Sequence, residues 1–124
     1  MITPSKFTDP LDVEYVDGRK WKLLSSFYYD DARYQEIIEV PSNFVTDFAS
    51  IPRALWSIIP PTGQYGKAAV IHDWLYQNKG KMPDKQYTRA EADLVFRDAM
   101  AVLGVGGYKR QTMYLAVRSF GPRW

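Results

Sequence analysis

The chain has 124 residues, 46% hydrophobic and 24% charged, the composition of one ordinary soluble globular domain rather than of a disordered tail or a fibre. It contains no cysteine, which excludes a disulfide framework, thiolate zinc sites and cysteine-nucleophile chemistry; any metal must be held by oxygen ligands or by the single His72. The net charge of +2 conceals an asymmetry, with 6 basic and 9 acidic groups in residues 1–62 against 10 and 5 in residues 63–124, but the cations are spread out and give no strong nucleic-acid signal.

The opening stretch has no apolar run behind its lysine and carries acids at Asp9, Asp12 and Glu14, so no signal peptide is expected. No apolar stretch approaches the roughly 18 residues of a transmembrane segment. The first 45 or so residues read as strands. Asp17-Gly18, between Val13-Glu14-Tyr15-Val16 and Lys20-Trp21-Lys22-Leu23-Leu24, predicts a type I′ hairpin turn. Phe27-Tyr28-Tyr29 leads into Asp30-Asp31, and Tyr34 to Val40 resumes a strand pattern that Pro41 ends.

Helices follow. A short one is predicted from Ser50-Ile51-Pro52-Arg53 to Ile59, closed by Pro60-Pro61-Thr62-Gly63. Apolar residues at helical spacing predict a second over Tyr65 to Gln77, stopped by Asn78-Lys79-Gly80. After a loop over 79–87, the capping box Thr88-Arg89-Ala90-Glu91 opens a third, which runs through Leu103 and closes at Gly104. A last helix spans about Tyr108 to Phe120 and ends on Gly121-Pro122. The expected fold class is α+β: a small N-terminal antiparallel β-meander followed by three to four helices packed on it, in a single domain over residues 1–124.

The chemistry-bearing stretch is Ile71-His72-Asp73-Trp74-Leu75-Tyr76. Neighbouring helix positions differ by about 100°, so His72 and Asp73 face different directions, while Tyr76 shares the face of His72. If the two flanking helices lie antiparallel across the 79–87 loop, Asp93 reaches His72. A carboxylate on one imidazole nitrogen fixes the tautomer and leaves the other nitrogen as a general base toward water. The bland alternative is a partly buried, hydrogen-bonded histidine. A second candidate stretch is Thr46-Asp47-Phe48-Ala49-Ser50-Ile51-Pro52-Arg53, where Asp47 would join Asp73 as a ligand of a divalent cation. Its alternative reading makes Asp47 or Ser50 a helix cap and pairs Arg53 with a carboxylate.

His72-Asp73-x-x-Tyr76, a loop, and Tyr87-Thr88-Arg89-Ala90-Glu91-Ala92-Asp93-Leu94-Val95-Phe96 together resemble the two-helix core of the secreted calcium-dependent phospholipases, over about 25 residues. The resemblance implies His72 as the base that activates water, Asp73 as a calcium ligand, Tyr76 as a support and Asp93 as the partner that orients His72. The glycine-rich calcium loop of that family has no counterpart in Leu55-Trp56-Ser57-Ile58-Ile59-Pro60. Over roughly residues 40 to 120, the stretches Phe44-Val45-Thr46-Asp47-Phe48-Ala49-Ser50-Ile51-Pro52-Arg53, His72-Asp73-Trp74-Leu75-Tyr76, Ala92-Asp93-x-x-Phe96 and Tyr114-Leu115-Ala116-Val117-Arg118 are similar to a family of small proteins of unknown function encoded by tailed phages and prophages. That similarity implies synthesis in a host cytoplasm and a phage virion or host-envelope component as partner.

The leading expectation is therefore a phage-encoded, metal-assisted hydrolase acting on an ester or amide of the bacterial envelope. His72 would be its base, Asp93 the orienter, Tyr76 a support, and Asp73 with Asp47 the holders of a divalent metal such as calcium. The alternative is a non-enzymatic virion or tail component in which the same residues form a structural polar network. A third reading is an inhibitor of a host protein that uses the basic half of the chain.

Overall fold

The computed structural model describes residues 5–7, 10–18, 20–47 and 66–120. The short helix expected over Ser50 to Ile59, and with it Ser50 and Arg53, lies outside these residues. Six short strands precede the first described helix: β1 (Lys6–Phe7), β2 (Val13–Asp17), β3 (Lys20–Leu23), β4 (Phe27–Asp31), β5 (Glu36–Val40) and β6 (Val45–Thr46). In the β4/β5 pair Phe27 stands opposite Val40 and Tyr29 opposite Ile38. The strand period of two sends these four side chains to one face, where all are buried, and leaves Ile37 exposed.

The class is α+β as expected, with antiparallel strands first and helices after. The strands divide between two three-stranded sheets, ordered β1-β4-β5 and β2-β3-β6, instead of pairing in one consecutive meander. The chain leaves β5 at Pro41, which has no N–H for a ladder. It passes through Asn43, at φ 73°, and its return is fixed by Asn43 N–H to the Leu23 carbonyl (2.8 Å) and Leu23 N–H to the Phe44 carbonyl (2.9 Å). β6 therefore lands on β3. The β2/β3 turn is also shifted: the register slips between Tyr15 and Asp17, so Asp17 pairs with Lys20. The bulge moves the loop one residue along, and Gly18 takes φ +53°, which suits a residue without a Cβ.

Beyond the sheets come α1 (Gly66–Gln77), a two-stranded hairpin of β7 (Lys81–Met82) and β8 (Lys85–Gln86), α2 (Arg89–Val102) and α3 (Gly107–Phe120). The hairpin occupies what the sequence pattern reads as loop. In α1 every residue from Ala68 to Asp73 is buried, as are Leu75 and Tyr76. A helix enclosed on nearly all sides is a core element, and α1 lies against α2 while also reaching β5 and β6. α2 begins as its capping box requires: the Glu91 N–H donates to Thr88 Oγ1 (3.1 Å) and the Thr88 N–H to the Glu91 carboxylate (2.9 Å). It ends at Gly104, φ +81°. A short connection then lays α3 along α2, its main packing partner.

The candidate His72–Asp93 site

The two helices joined by the β7/β8 hairpin bring His72 of α1 to Asp93 of α2. His72 Nε2 lies 2.7 Å from Asp93 Oδ1. Tyr76, one turn after His72, donates its hydroxyl to the same Oδ1, 2.5 Å away. Arg118, from the last turn of α3, donates Nη1 to Oδ2 at 2.8 Å. Three donors from two other helices thus converge on one carboxylate that is 0% exposed. The imidazole packs against the rings of Tyr76 (centroids 4.1 Å apart) and Phe96 (4.8 Å), and is itself 2% exposed.

Burial pushes the Asp93 carboxyl up, but the hydrogen bonds from His72, Tyr76 and Arg118 outweigh it and hold the group below the usual carboxylate range. Burial acts the opposite way on His72, and it exceeds the pull of Asp93, so the imidazole is held below its ordinary value. At neutral pH the pair is a carboxylate and a neutral imidazole. Since an ionised carboxylate only accepts, Nε2 carries the proton. The other nitrogen, Nδ1, is then a bare lone pair, and it has no hydrogen-bond partner among the described residues.

Asp73, the next residue along α1, points to a different layer. Its Oδ2 accepts from the Asp47 backbone N–H at 3.1 Å, and the Thr46 and Gln77 side chains also bond to it. Burial, followed by the charge of Asp47, raises its carboxyl to about 6. Asp47 and Asp73 are neighbours, but the described residues contain no group of three or more histidines and acids able to hold a metal ion. Two carboxylates do not complete the six to eight oxygens that calcium takes.

The two adjacent groups of α1 have opposite linkage. His72 refuses a proton that the unfolded chain accepts near pH 6.5, so its contribution to stability is lost as pH falls below that value. Asp73 accepts a proton near 6 that the unfolded chain declines until about 3.8, so its contribution is present at low pH and lost as pH rises through 6. Holding Asp73 ionised at neutral pH costs about 3 kcal/mol. Asp73→Asn is therefore expected to unfold at higher urea than the wild type at pH 8, with the advantage shrinking steadily toward pH 5. Parallel profiles for the two proteins would place the Asp73 titration elsewhere.

Sequence reasoning named His72, Tyr76, Asp93, Asp73 and Asp47, and the structure gathers the first three into one network and the last two into another. It did not assign Arg118, which lies 25 residues from Asp93 on a separate helix. Arg89 was also unassigned; it opens α2 and donates to the Val117 and Arg118 carbonyls (3.0 and 2.9 Å), closing the C-terminal end of α3. A third buried acid, Asp31, accepts from the Tyr87 hydroxyl (3.0 Å) and the Arg33 N–H (3.1 Å), which ties β4 to the start of α2.

Two curated relatives come from Sinorhizobium fredii (strain NBRC 101917 / NGR234). The chain is 38% identical over 106 residues to "Uncharacterized protein y4jT", covering 84% of this chain and 30% of that one. It is also 38% identical over 81 residues to "Uncharacterized protein y4iH", covering 64% and 31%. The chain thus spans about a third of the length of these relatives. No solved structure matches it. A family model described as "Protein of unknown function (DUF1353)" matches residues 21–117, which takes in His72, Asp93 and all but the last few residues of α3, and the chain belongs to that family.

Proposed function

We propose that this chain is a small hydrolase in which the Asp93–His72 dyad activates water against an ester or amide of the bacterial envelope. The observation that carries the reading is the division of labour on one imidazole: Nε2 is committed to Asp93, while Nδ1 is neutral and without a partner among the described residues. In the step this arrangement suits, Nδ1 takes a proton from water as the water oxygen attacks the carbonyl carbon. Asp93 then stabilises the imidazolium, which returns the proton to the leaving alcohol or amine. Tyr76 holds the carboxylate that orients the ring.

A divalent cation at Asp73 and Asp47 belongs to the proposal on the nearness of the two acids, and no step is assigned to it. The phage or prophage setting, and a virion or envelope partner, are supported by the resemblance of the chain from Phe44 to Arg118 to phage-encoded proteins.

The test is hydrolysis of phosphatidylglycerol vesicles and of peptidoglycan fragments, with and without added calcium, by the wild type and by His72→Gln. Gln keeps an amide that can donate to Asp93. The expected outcome is a folded variant, by circular dichroism, whose turnover is reduced at least 100-fold. A variant that retains full turnover would remove His72 from the mechanism.

The burial of His72 and Asp93, 2% and 0% exposed, favours a second reading, in which the network only locks α1, α2 and α3 together in a virion or tail protein. In that case no substrate is turned over by the wild type, and His72→Gln changes the unfolding midpoint alone.

A further inference from the structure

The two oxygens of Asp93 are used differently. Oδ1 serves α1 through His72 and Tyr76, whereas Oδ2 serves α3 through Arg118. A fully buried carboxyl with only neutral donors is drawn toward its protonated form, because burial penalises the charge. A proton on Oδ1 would turn the acceptor of the dyad into a hydroxyl, and a proton on Oδ2 would leave Oδ1 a neutral, weaker acceptor; either weakens the hold on Nε2. The guanidinium at 2.8 Å supplies a permanent positive charge at the oxygen that the dyad does not use.

Arg118 is itself held. It sits in the last turn of α3, where a cation suits the helix dipole, and its own carbonyl accepts from Arg89. The groups facing Asp93 are His72 and Tyr76 from α1 and Arg118 from α3. Arg89, at the start of α2, adds its positive field at His72 and Tyr76. The remaining α2 acids are engaged elsewhere, Glu91 with Lys85 and Asp98 with Arg33.

We propose that Arg118 is a positioning residue of the dyad: its guanidinium keeps Asp93 a carboxylate within a dry site, so that Oδ1 remains the acceptor that fixes the proton of His72 on Nε2. This rests on the reading of His72 and Asp93 as a dyad. It makes α3 a working part of the site even though Arg118 touches no reacting atom.

A double-mutant cycle on the full chain tests it. Urea unfolding at pH 7 is compared for the wild type, Arg118→Met, Asp93→Asn and the double variant, with Arg118→Lys as the conservative replacement. Asn stands in for a protonated Asp93. Arg118→Met is expected to change the unfolding equilibrium constant at least tenfold more in the wild-type background than in the Asp93→Asn background, and Arg118→Lys is expected to recover most of the loss. The deficit of Arg118→Met should also shrink as pH is lowered from 7 to 4, since Asp93 without the guanidinium is drawn to its protonated form at higher pH than in the wild type, where it stays ionised.

An equal effect in both backgrounds, or a deficit independent of pH, would make Arg118 a packing residue and overturn the proposal. So would failure of both Arg118→Met and Arg118→Lys to fold. The dyad reading is checked separately by the ¹⁵N spectrum of the single histidine in the wild type. A proton on Nδ1 there would overturn the dyad, whatever the cycle gives.

Discussion

Asp93→Ala is expected to lower the unfolding free energy by about 3 to 5 kcal/mol, a large share of the 5–15 kcal/mol typical of a domain. The alanine leaves the His72 Nε2–H and the Tyr76 hydroxyl buried without their acceptor. Each such donor costs about 1–3 kcal/mol. Arg118 is not left buried without a partner, because its side chain is 35% exposed and can turn to water, but its pairing with the carboxylate is lost as well. Asp93→Asn keeps one acceptor oxygen and should cost roughly half as much. Linear extrapolation of urea unfolding curves at pH 7 measures both. A loss below about 1 kcal/mol for the alanine would mean that water satisfies the network already. The expectation concerns stability alone and holds for either functional reading.

Phe96→Ala should cost a similar amount, about 3–5 kcal/mol, for a different reason. Its ring is 0% exposed and packs against the imidazole with centroids 4.8 Å apart. Removing it opens a cavity between α1 and α2, and the cost of a cavity adds to that of the lost apolar surface. Phe96→Leu keeps most of the volume and should cost roughly 1 kcal/mol. The same urea measurements separate the two substitutions. Near-equal losses would show that the site tolerates a void and that aromatic contact with His72 contributes little. The alanine variant also tests how far packing holds the imidazole in place, since Asp93 and Tyr76 remain.

How much of this was readable from the chain depended on the range of each signal. α2 was legible to the residue at its start, because Thr88 and Glu91 are three positions apart and their bonds are local. The approach of His72 to Asp93 was legible from helix spacing and a short connection. The division of strands into two sheets was not, because β1 and β6 are two residues long and carry no periodicity. β7 and β8 escaped for the same reason. The pairings of Asp31 with Tyr87 and of Arg118 with Asp93 cross 56 and 25 residues, and no local pattern marks them. The near-complete enclosure of α1 was hidden as well: its run from Ala68 to Ile71 signals a buried helix, but nothing in it says that the polar pair that follows is buried too.

The packing of α3 mainly against one neighbour bears on how the molecule breathes. Segments with few packed faces open in partial excursions well below the free energy of global unfolding, whereas an enclosed helix such as α1 exchanges its amides only when the whole structure opens. Each excursion of α3 carries Arg118 away while α1 and α2 stay docked. His72, Tyr76 and Asp93 then remain in contact, but the carboxylate is left for that interval without its cation.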